Sequence, residues 1–261
     1  MKNKGLIITL IVILTILCVS IIGFMIYAIT GNFKFKSLKN ITIKDAKIKT
    51  IDKEYSDIIN NIDIISDAGK INVVHSNNEN IRVVVYSEKQ KATSEVNENT
   101  LKIKVKNDDC NFFCFNSKTS KIILYVPEDY SGNFKIENDY GDITIGEFEN
   151  SNVTVNDDYG DIKIKSVNTL TAKTDYGDIK VNYISKTFDL KTDCGDINIE
   201  EANIIEKSYI NNDYGDIKIE KINNVYIDAK TDLGDVKVNN NNRMSNVILK
   251  IRNDCGDIKV N

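Results

Sequence analysis

The sequence predicts an all-β fold: a β-helix or β-solenoid-like repeat domain behind a single N-terminal transmembrane helix. Three observations lead to this prediction. An eight-residue phrase, first seen as "NDYGDITI" at residues 138–145, occurs seven times. Between residues 62 and 126, apolar and polar residues alternate with period two, which is typical of strands. Residues 5–30 form a run of 26 residues without a charge.

The uncharged run predicts a membrane anchor. As a helix, residues 5–30 extend about 39 Å, more than the ~30 Å hydrocarbon core of a bilayer. A cleaved signal peptide is the alternative, but its apolar region is usually only ~7–15 residues long and ends at small residues. Ala28-Ile29-Thr30 is a poor cleavage site of that kind. We therefore expect an uncleaved transmembrane helix at 5–30, preceded by a cytoplasmic tail at 1–4.

The orientation of this anchor is not given by the flanking lysines. Lys2 and Lys4 precede the run, whereas Lys34, Lys36 and Lys39 follow it, so the positive-inside rule does not favour a cytoplasmic N-terminus. An outward tail of four residues would leave the whole domain in the cytoplasm behind its anchor. The expectation is a single-pass protein of the cell membrane with an extracytoplasmic domain.

The charge balance argues against a nucleic-acid partner. Apart from Lys2 and Lys4, 32 basic residues stand against 38 acidic ones, which gives a formal charge of −6. The lysines are spread evenly and form no basic patch. We therefore expect no nucleic acid among the partners.

Beyond the anchor, the sequence divides into three parts. Residues 31–60 read as a Lys-rich juxtamembrane segment, residues 61–133 as an N-terminal β region, and residues 134–261 as the β-solenoid repeats. The phrase "SDAGKINV" around Gly69 looks like a degenerate earlier copy of the repeat.

The repeats predict a stack of about seven coils of ~19 residues each. With ~4.8 Å between coils, the stack would be about 34 Å long. Each coil has two short strands with inward apolar residues, joined at a bend by Asp-x-Gly-Asp. The bend needs glycine because glycine accepts positive φ without steric cost. The repeat glycines are spaced 17 to 22 residues apart: Gly141, Gly160, Gly177, Gly195, Gly215, Gly234 and Gly256.

The aspartates at the bend admit two interpretations. One is structural: the first aspartate accepts backbone N–H bonds across its own bend, as in Asx-turns, and a lysine ladder runs beside the aspartate ladder. The other is a row of Ca²⁺ sites, since closely spaced carboxylates repel unless offset. Calcium-binding β-rolls use nonapeptide repeats, which favours the structural interpretation and no bound metal. The calcium candidates are Asp139, Asp142, Asp158, Asp161, Asp175 and Asp178.

Two further columns of the repeat are predicted to be structural. The residue before each glycine is Tyr, Cys or Leu, which favours apolar stacking over phenol chemistry. The residue before the first aspartate is Asn, Asp or Thr, which predicts an internal polar ladder. Neither column suggests a catalytic group.

The cysteines and the single histidine reveal no catalytic or metal site. Cys194 and Cys255 share one column three repeats apart, roughly 14 Å, beyond disulfide reach. Cys110 and Cys114 flank "NFF" in a hairpin-like loop and are the candidate disulfide. His75 lies in a polar turn and is expected to be solvated. With no phosphate loop and no nucleophile elbow, we expect no enzyme, no catalytic residues and no cofactor.

The phrase D-[YCL]-G-D-[IV]-x-[IV], with "YVPEDYSGNFKI" before it, resembles a bacterial family of β-strand-repeat proteins. That family, whose function is unknown, is usually labelled "putative adhesin". It includes membrane-anchored members of the Lia-type cell-envelope stress systems. The resemblance covers about residues 40–261 and implies a β-helical extracytoplasmic domain near the cell envelope. It carries over no catalytic residues.

The sequence is compatible with two functions. The first is binding of a protein or of another envelope partner such as the cell wall, in cell-envelope stress sensing. The second is a structural or adhesive surface module, in one version assisted by Ca²⁺. The last repeat, "NDCGDIKV" at 253–260, predicts an uncapped final coil whose strand edges offer a place for self-association or a ligand.

Overall fold

The computed structural model describes residues 46–107 and 119–261, and the regular elements there are β-strands. The all-β prediction is confirmed. Among these residues, no helix is long and apolar enough to cross a membrane. The predicted anchor at 5–30 and the candidate disulfide of Cys110 and Cys114 lie outside the described residues.

Eighteen strands are described. Those before the repeats are β1 (Lys49–Tyr55), β2 (Asn61–Ser66), β3 (Gly69–Ser76), β4 (Ile81–Tyr86), β5 (Gln90–Asn97), β6 (Thr100–Asn107) and β7 (Ser120–Pro127). Those of the repeats are β8 (Asn133–Tyr140), β9 (Ile143–Tyr159), β10 (Ile162–Tyr176), β11 (Ile179–Cys194), β12 (Ile197–Ala202), β13 (Ser208–Tyr214), β14 (Ile217–Ile222), β15 (Tyr226–Leu233), β16 (Val236–Val238), β17 (Ile248–Cys255) and β18 (Ile258–Val260).

Each coil has two sides that pair in parallel with the same sides of the next coil. The first part of β9 pairs with the first part of β10, as Ile143 does with Ile162, and the second parts pair likewise, as Val155 does with Ala172. Alternating apolar residues from both sides point inward, so these four side chains are fully or almost fully buried. The solenoid-like repeat fold predicted from the sequence is confirmed.

At one end, the order of layers in the stack differs from their order in the sequence. Strand β17 pairs with β13 on one side and with β15 on the other. Its continuation β18 lies in the same way between β14 and β16. The last repeat is therefore the second layer from this end. The expectation that it forms an uncapped final coil is wrong, because β15 and β16 are the outermost strands.

The other end is interleaved in the same way. Strand β2 lies between β6 and β8, and β3 lies between β7 and β9. The register pairs Ser66 with Asn138 and Ile71 with Ile143, so the segment around Gly69 occupies the position of a repeat. The N-terminal β region and the repeats thus form one continuous stack.

Antiparallel strands complete the stack at this end. Strand β4 pairs with β7, and β5 pairs with β6. Strand β1, which lies in the stretch 31–60 predicted to be juxtamembrane, pairs with β4 and belongs to the domain. Its Tyr55 is buried and donates a hydrogen bond from its phenol to the Ser94 hydroxyl.

Candidate functional site

The repeated bend forms one edge of the stack, and its glycines are required by close backbone contact. Gly215 has φ of +142°, and a Cβ added to it would lie 2.1 Å from the carbonyl oxygen of Gly195. The other glycines of the column, from Gly141 to Gly256, meet the neighbouring glycine in the same way. Any side chain would push the layers apart at this edge.

The second aspartate of each bend connects neighbouring layers. Its carboxylate accepts a hydrogen bond from the backbone N–H of the second aspartate in the next layer, at 2.8 to 3.3 Å. The ladder runs through Asp142, Asp161, Asp178, Asp196, Asp216, Asp257 and Asp235. The acceptor of backbone N–H bonds is thus the second aspartate, between layers, and not the first aspartate across its own bend.

Lysines balance part of the charge within a coil. The Lys163 ammonium lies 3.0 Å from Asp161, and Lys180 lies 2.9 Å from Asp178. Burial raises the pKa of Asp161, but Lys163, the N–H of Asp178 and Lys180 outweigh it, so the pKa is lowered overall. Three of the first aspartates pair instead with a lysine two residues before them: Lys173 with Asp175, Lys191 with Asp193, and Lys230 with Asp232.

The calcium candidates are not brought together as a metal site. Among the described residues, no group of three or more His, Cys, Asp or Glu side chains is placed to hold a metal ion. Oδ1 of Asp142, of Asp161 and of Asp178 each accepts the N–H of the next layer. Burial, followed by the charge of Asp67, raises the pKa of Asp139.

An internal polar ladder lies beneath the bend. Several of its members donate to the carbonyl oxygen of a bend glycine in the neighbouring layer, as Asn212 does to Gly195 and Asn253 to Gly215. The hydroxyl of Thr192 bonds to Gly177 in the same way, at 3.2 Å. These side chains are buried and satisfy carbonyl groups that face the core side of the bend.

Asp157 is the one charged residue in this ladder. It is 2 % exposed, and its Oδ1 accepts a hydrogen bond of 3.1 Å from the Asn138 amide. Its Oδ2 is buried without a hydrogen-bond partner. Burial raises its pKa to about 7, although the hydrogen bond from Asn138 acts in the opposite direction. The sequence carries a signal for this residue, since the column otherwise holds only Asn and Thr.

On the solvent side of the bend, three tyrosines form a regular stack. The ring centroids of Tyr140 and Tyr159 are 4.9 Å apart, as are those of Tyr159 and Tyr176, and the planes deviate by 6° and 3°. Each side chain is about half exposed. Because ring faces cover one another, the stack presents ring edges and a row of phenol hydroxyls to solvent.

The column of the tyrosines also contains the two described cysteines. Tyr214 pairs with Cys194 on one side and with Cys255 on the other, so the cysteines are two layers apart and not three. At ~4.8 Å per layer the separation is about 10 Å, still beyond disulfide reach. Both are free thiols.

The sequence predicted that the single histidine is solvated, but the structure shows it in contact with other residues. The His75 ring packs edge-on against Phe148, with centroids 4.6 Å apart, and its Nε2 contacts the backbone carbonyl of Glu147. These contacts tie β3 to β9, which is a packing role.

Comparison with known protein families identifies the family of this chain. A family model described as "Toastrack DUF4097" matches residues 59–261, which is most of the chain. The chain belongs to the Toastrack family. The family match agrees with the resemblance drawn from the repeated phrase. A search of the curated proteins gives no match.

A solved structure shares this fold. A "putative adhesin" from Bacteroides fragilis is similar with a TM-score of 0.55 and 19 % identity, covering 83 % of this chain and 99 % of that one. A "putative cell adhesion protein" from Clostridium sporogenes aligns with a TM-score of 0.32 and 15 % identity, over 80 % of this chain and 99 % of that one. At these identities, the similarity to the Bacteroides protein concerns the fold alone.

Proposed function

We propose that this chain is a surface module of the cell envelope, anchored in the membrane by residues 5–30, whose Toastrack domain binds a protein or cell-wall partner. The structural neighbour from Bacteroides fragilis, named as a putative adhesin, supports a surface role, and the sequence, which carries no recognisable catalytic motif, supports binding over catalysis. Stress sensing is the use of such binding that the resemblance to Lia-type proteins implies. Adhesion is the second candidate.

The observation that carries the proposal is the bend edge. Three stacked tyrosines run along it, flanked on both sides by aspartates, with a regular spacing of 4.9 Å between rings. The glycine contacts and the aspartate ladder hold this edge rigid. A rigid row of ring edges, hydroxyls and carboxylates suits an extended partner that makes repeated contacts without reorganising the domain.

We propose no catalytic role for the domain. The chain has one histidine, and His75 contacts a backbone carbonyl and a phenyl ring. Asp157 has a raised pKa, but it is buried in the polar ladder where no substrate reaches it. A perturbed carboxyl of this kind is a consequence of folding and does not by itself indicate catalysis.

The test is capture of partners from cell-wall fractions and membrane extracts by the purified full chain. A variant with serine at Tyr140, Tyr159 and Tyr176 is expected to lose capture while keeping the far-UV circular dichroism of the wild type. The matched control replaces Lys163 and Lys180 with glutamine on the outward face of β10 and β11. Capture that survives the tyrosine changes would place the binding surface elsewhere.

The calcium-assisted version of the adhesive role has a separate test. The thermal midpoint of the full chain is compared in calcium and in EDTA. Because the second aspartates accept backbone N–H bonds, we expect equal midpoints. A midpoint that rises with calcium would restore the ion-assisted version.

A further inference from the structure

The end of the stack formed by β15 and β16 leaves backbone groups without a strand beside them. Strand β15 pairs with β17, and β16 pairs with β18, and among the described residues no strand lies on their other side. In a parallel ladder, alternate residues bond to opposite neighbours. The backbone N–H of Tyr226 donates to the carbonyl oxygen of Val247, on the β17 side. The alternate residues Ile227, Ala229 and Thr231 therefore direct their N–H and C=O groups outward, away from β17.

Among residues 46–107 and 119–261, a side chain caps only the first of these three residues. The side-chain amide of Asn241 accepts the N–H of Ile227 at 3.0 Å and donates to its carbonyl at 2.9 Å, as a neighbouring strand would. In the described part of the chain, no side chain caps Ala229 or Thr231 in this way. The outer edge of β15 is therefore open over its second half.

The hydrophobic core is also open at this end. Val236 occupies the same column as Ile258 and Ile217, which are each 1 % exposed, yet Val236 is 44 % exposed. An apolar rung next to an unpaired edge is a surface that proteins normally cover.

We propose that this end pairs with the same end of a second copy of the chain, β15 against β15 in antiparallel orientation. The inference concerns self-association and is independent of the partner proposed for the bend edge. A two-fold axis through Thr231 places Lys230 opposite Asp232 of the second copy, twice by symmetry. Both side chains are exposed, at 68 % and 65 %, and are free to turn from their own contact to the opposite strand.

Charge selects this register over its neighbours. Shifting the axis by one residue toward Lys230 would place Lys230 opposite itself and Asp228 opposite Asp232. Shifting it the other way would place Asp232 opposite itself. Like charges directly opposite one another destabilise an antiparallel pair, whereas opposite charges stabilise it. The interface is isologous, so it closes as a dimer and does not grow into a fibre.

The test measures the mass of the full chain in detergent by sedimentation over a concentration series. The wild type is expected to dimerise reversibly. Lys230→Glu or Asp232→Lys alone would turn attraction into repulsion at both symmetric contacts and weaken the dimer about tenfold. The double reversal Lys230→Glu/Asp232→Lys restores opposite charges and is expected to recover wild-type affinity.

A matched control comes from an interior layer. Lys173 and Asp175 form the same contact as Lys230 and Asp232 but lie in β10, which has a strand on each side. Lys173→Glu is expected to leave the dimer unchanged. A chain that stays monomeric, polymers that lengthen with concentration, equal effects of Lys173→Glu and Lys230→Glu, or a double reversal without recovery would each overturn the proposal.

Discussion

Replacing Asp157 with asparagine is expected to stabilise the domain, and to do so more at alkaline than at acidic pH. The carboxyl is buried in a ladder otherwise built of neutral Asn and Thr, beside the amide of Asn138. Asparagine keeps the oxygen that accepts the Asn138 hydrogen bond and adds an amide donor, as Asn212 and Asn253 have in other layers.

The magnitude follows from the pKa of Asp157, which rises from 3.8 to about 7 on folding. Between these two pH values the folded chain binds more protons than the unfolded chain. The free energy of unfolding therefore falls by about 1.4 kcal/mol for each unit by which the pH rises. The loss is complete above pH 7, where the folded carboxyl is ionised. The gain from Asp157→Asn is therefore about 2 kcal/mol at pH 5 and about 4 kcal/mol at pH 8.

The assay is urea unfolding of the full chain at both pH values, followed by circular dichroism. Asp189→Asn, which changes an exposed carboxyl of β11 that does not act on Asp157, is the control and should shift the free energy of unfolding little at either pH. A gain that is equal at pH 5 and pH 8 would refute the assignment of a raised pKa to Asp157. A loss of stability at pH 8 would show that the carboxylate itself is needed.

Three other changes test the bend by the same unfolding assay. Gly215→Ala is expected to cost about 2–4 kcal/mol, whereas Gly146→Ala, where an added Cβ meets only ordinary van der Waals contacts and φ is not positive, should change little. Asp161→Ala removes the acceptor of the Asp178 N–H and should cost about 1–2 kcal/mol, with Asp161→Asn costing less than half of that. Tyr159→Ala loses two ring contacts and about 1–2 kcal/mol, while Tyr159→Phe should be neutral. Equal effects within any of these pairs would contradict the corresponding contact.

Much of the coil was predictable because its columns repeat. Aligned on the bend, Ile136, Val155 and Ala172 fall in one column, and the structure pairs them in register. Period-two alternation is enough to place such residues inside a strand-built coil. The polar ladder beneath the bend followed from the same alignment.

The order of the layers was not predictable from those columns. Because the repeats share one pattern, either Asn253 or Thr231 would fit beside Asn212. No residue type therefore indicates which repeat forms the neighbouring layer. The one signal is length: the glycines of the last two repeats are 22 residues apart, the widest spacing in the series. The extra residues lie in 239–247, the segment that connects β16 to β17.

The roles of the two aspartates also needed coordinates. Both belong to every copy, and the sequence cannot tell which carboxylate reaches the next layer. The choice depends on which backbone N–H lacks a carbonyl partner at the bend, and this proves to be the N–H of the second aspartate. The exposure of Val236 could not be predicted either, because it depends on which layer is outermost.

The interleaving of β17 and β18 has a consequence for how the domain is made. A simple solenoid can fold behind the ribosome, one finished coil after another. Here the layer of β15 and β16 is synthesised before the layer on which it rests, so it has no template until residues 248–260 emerge. Assembly of this end must wait for the last repeat, which then enters between two earlier ones. Interruption of synthesis after residue 247 would leave the outermost coil with nothing to dock on.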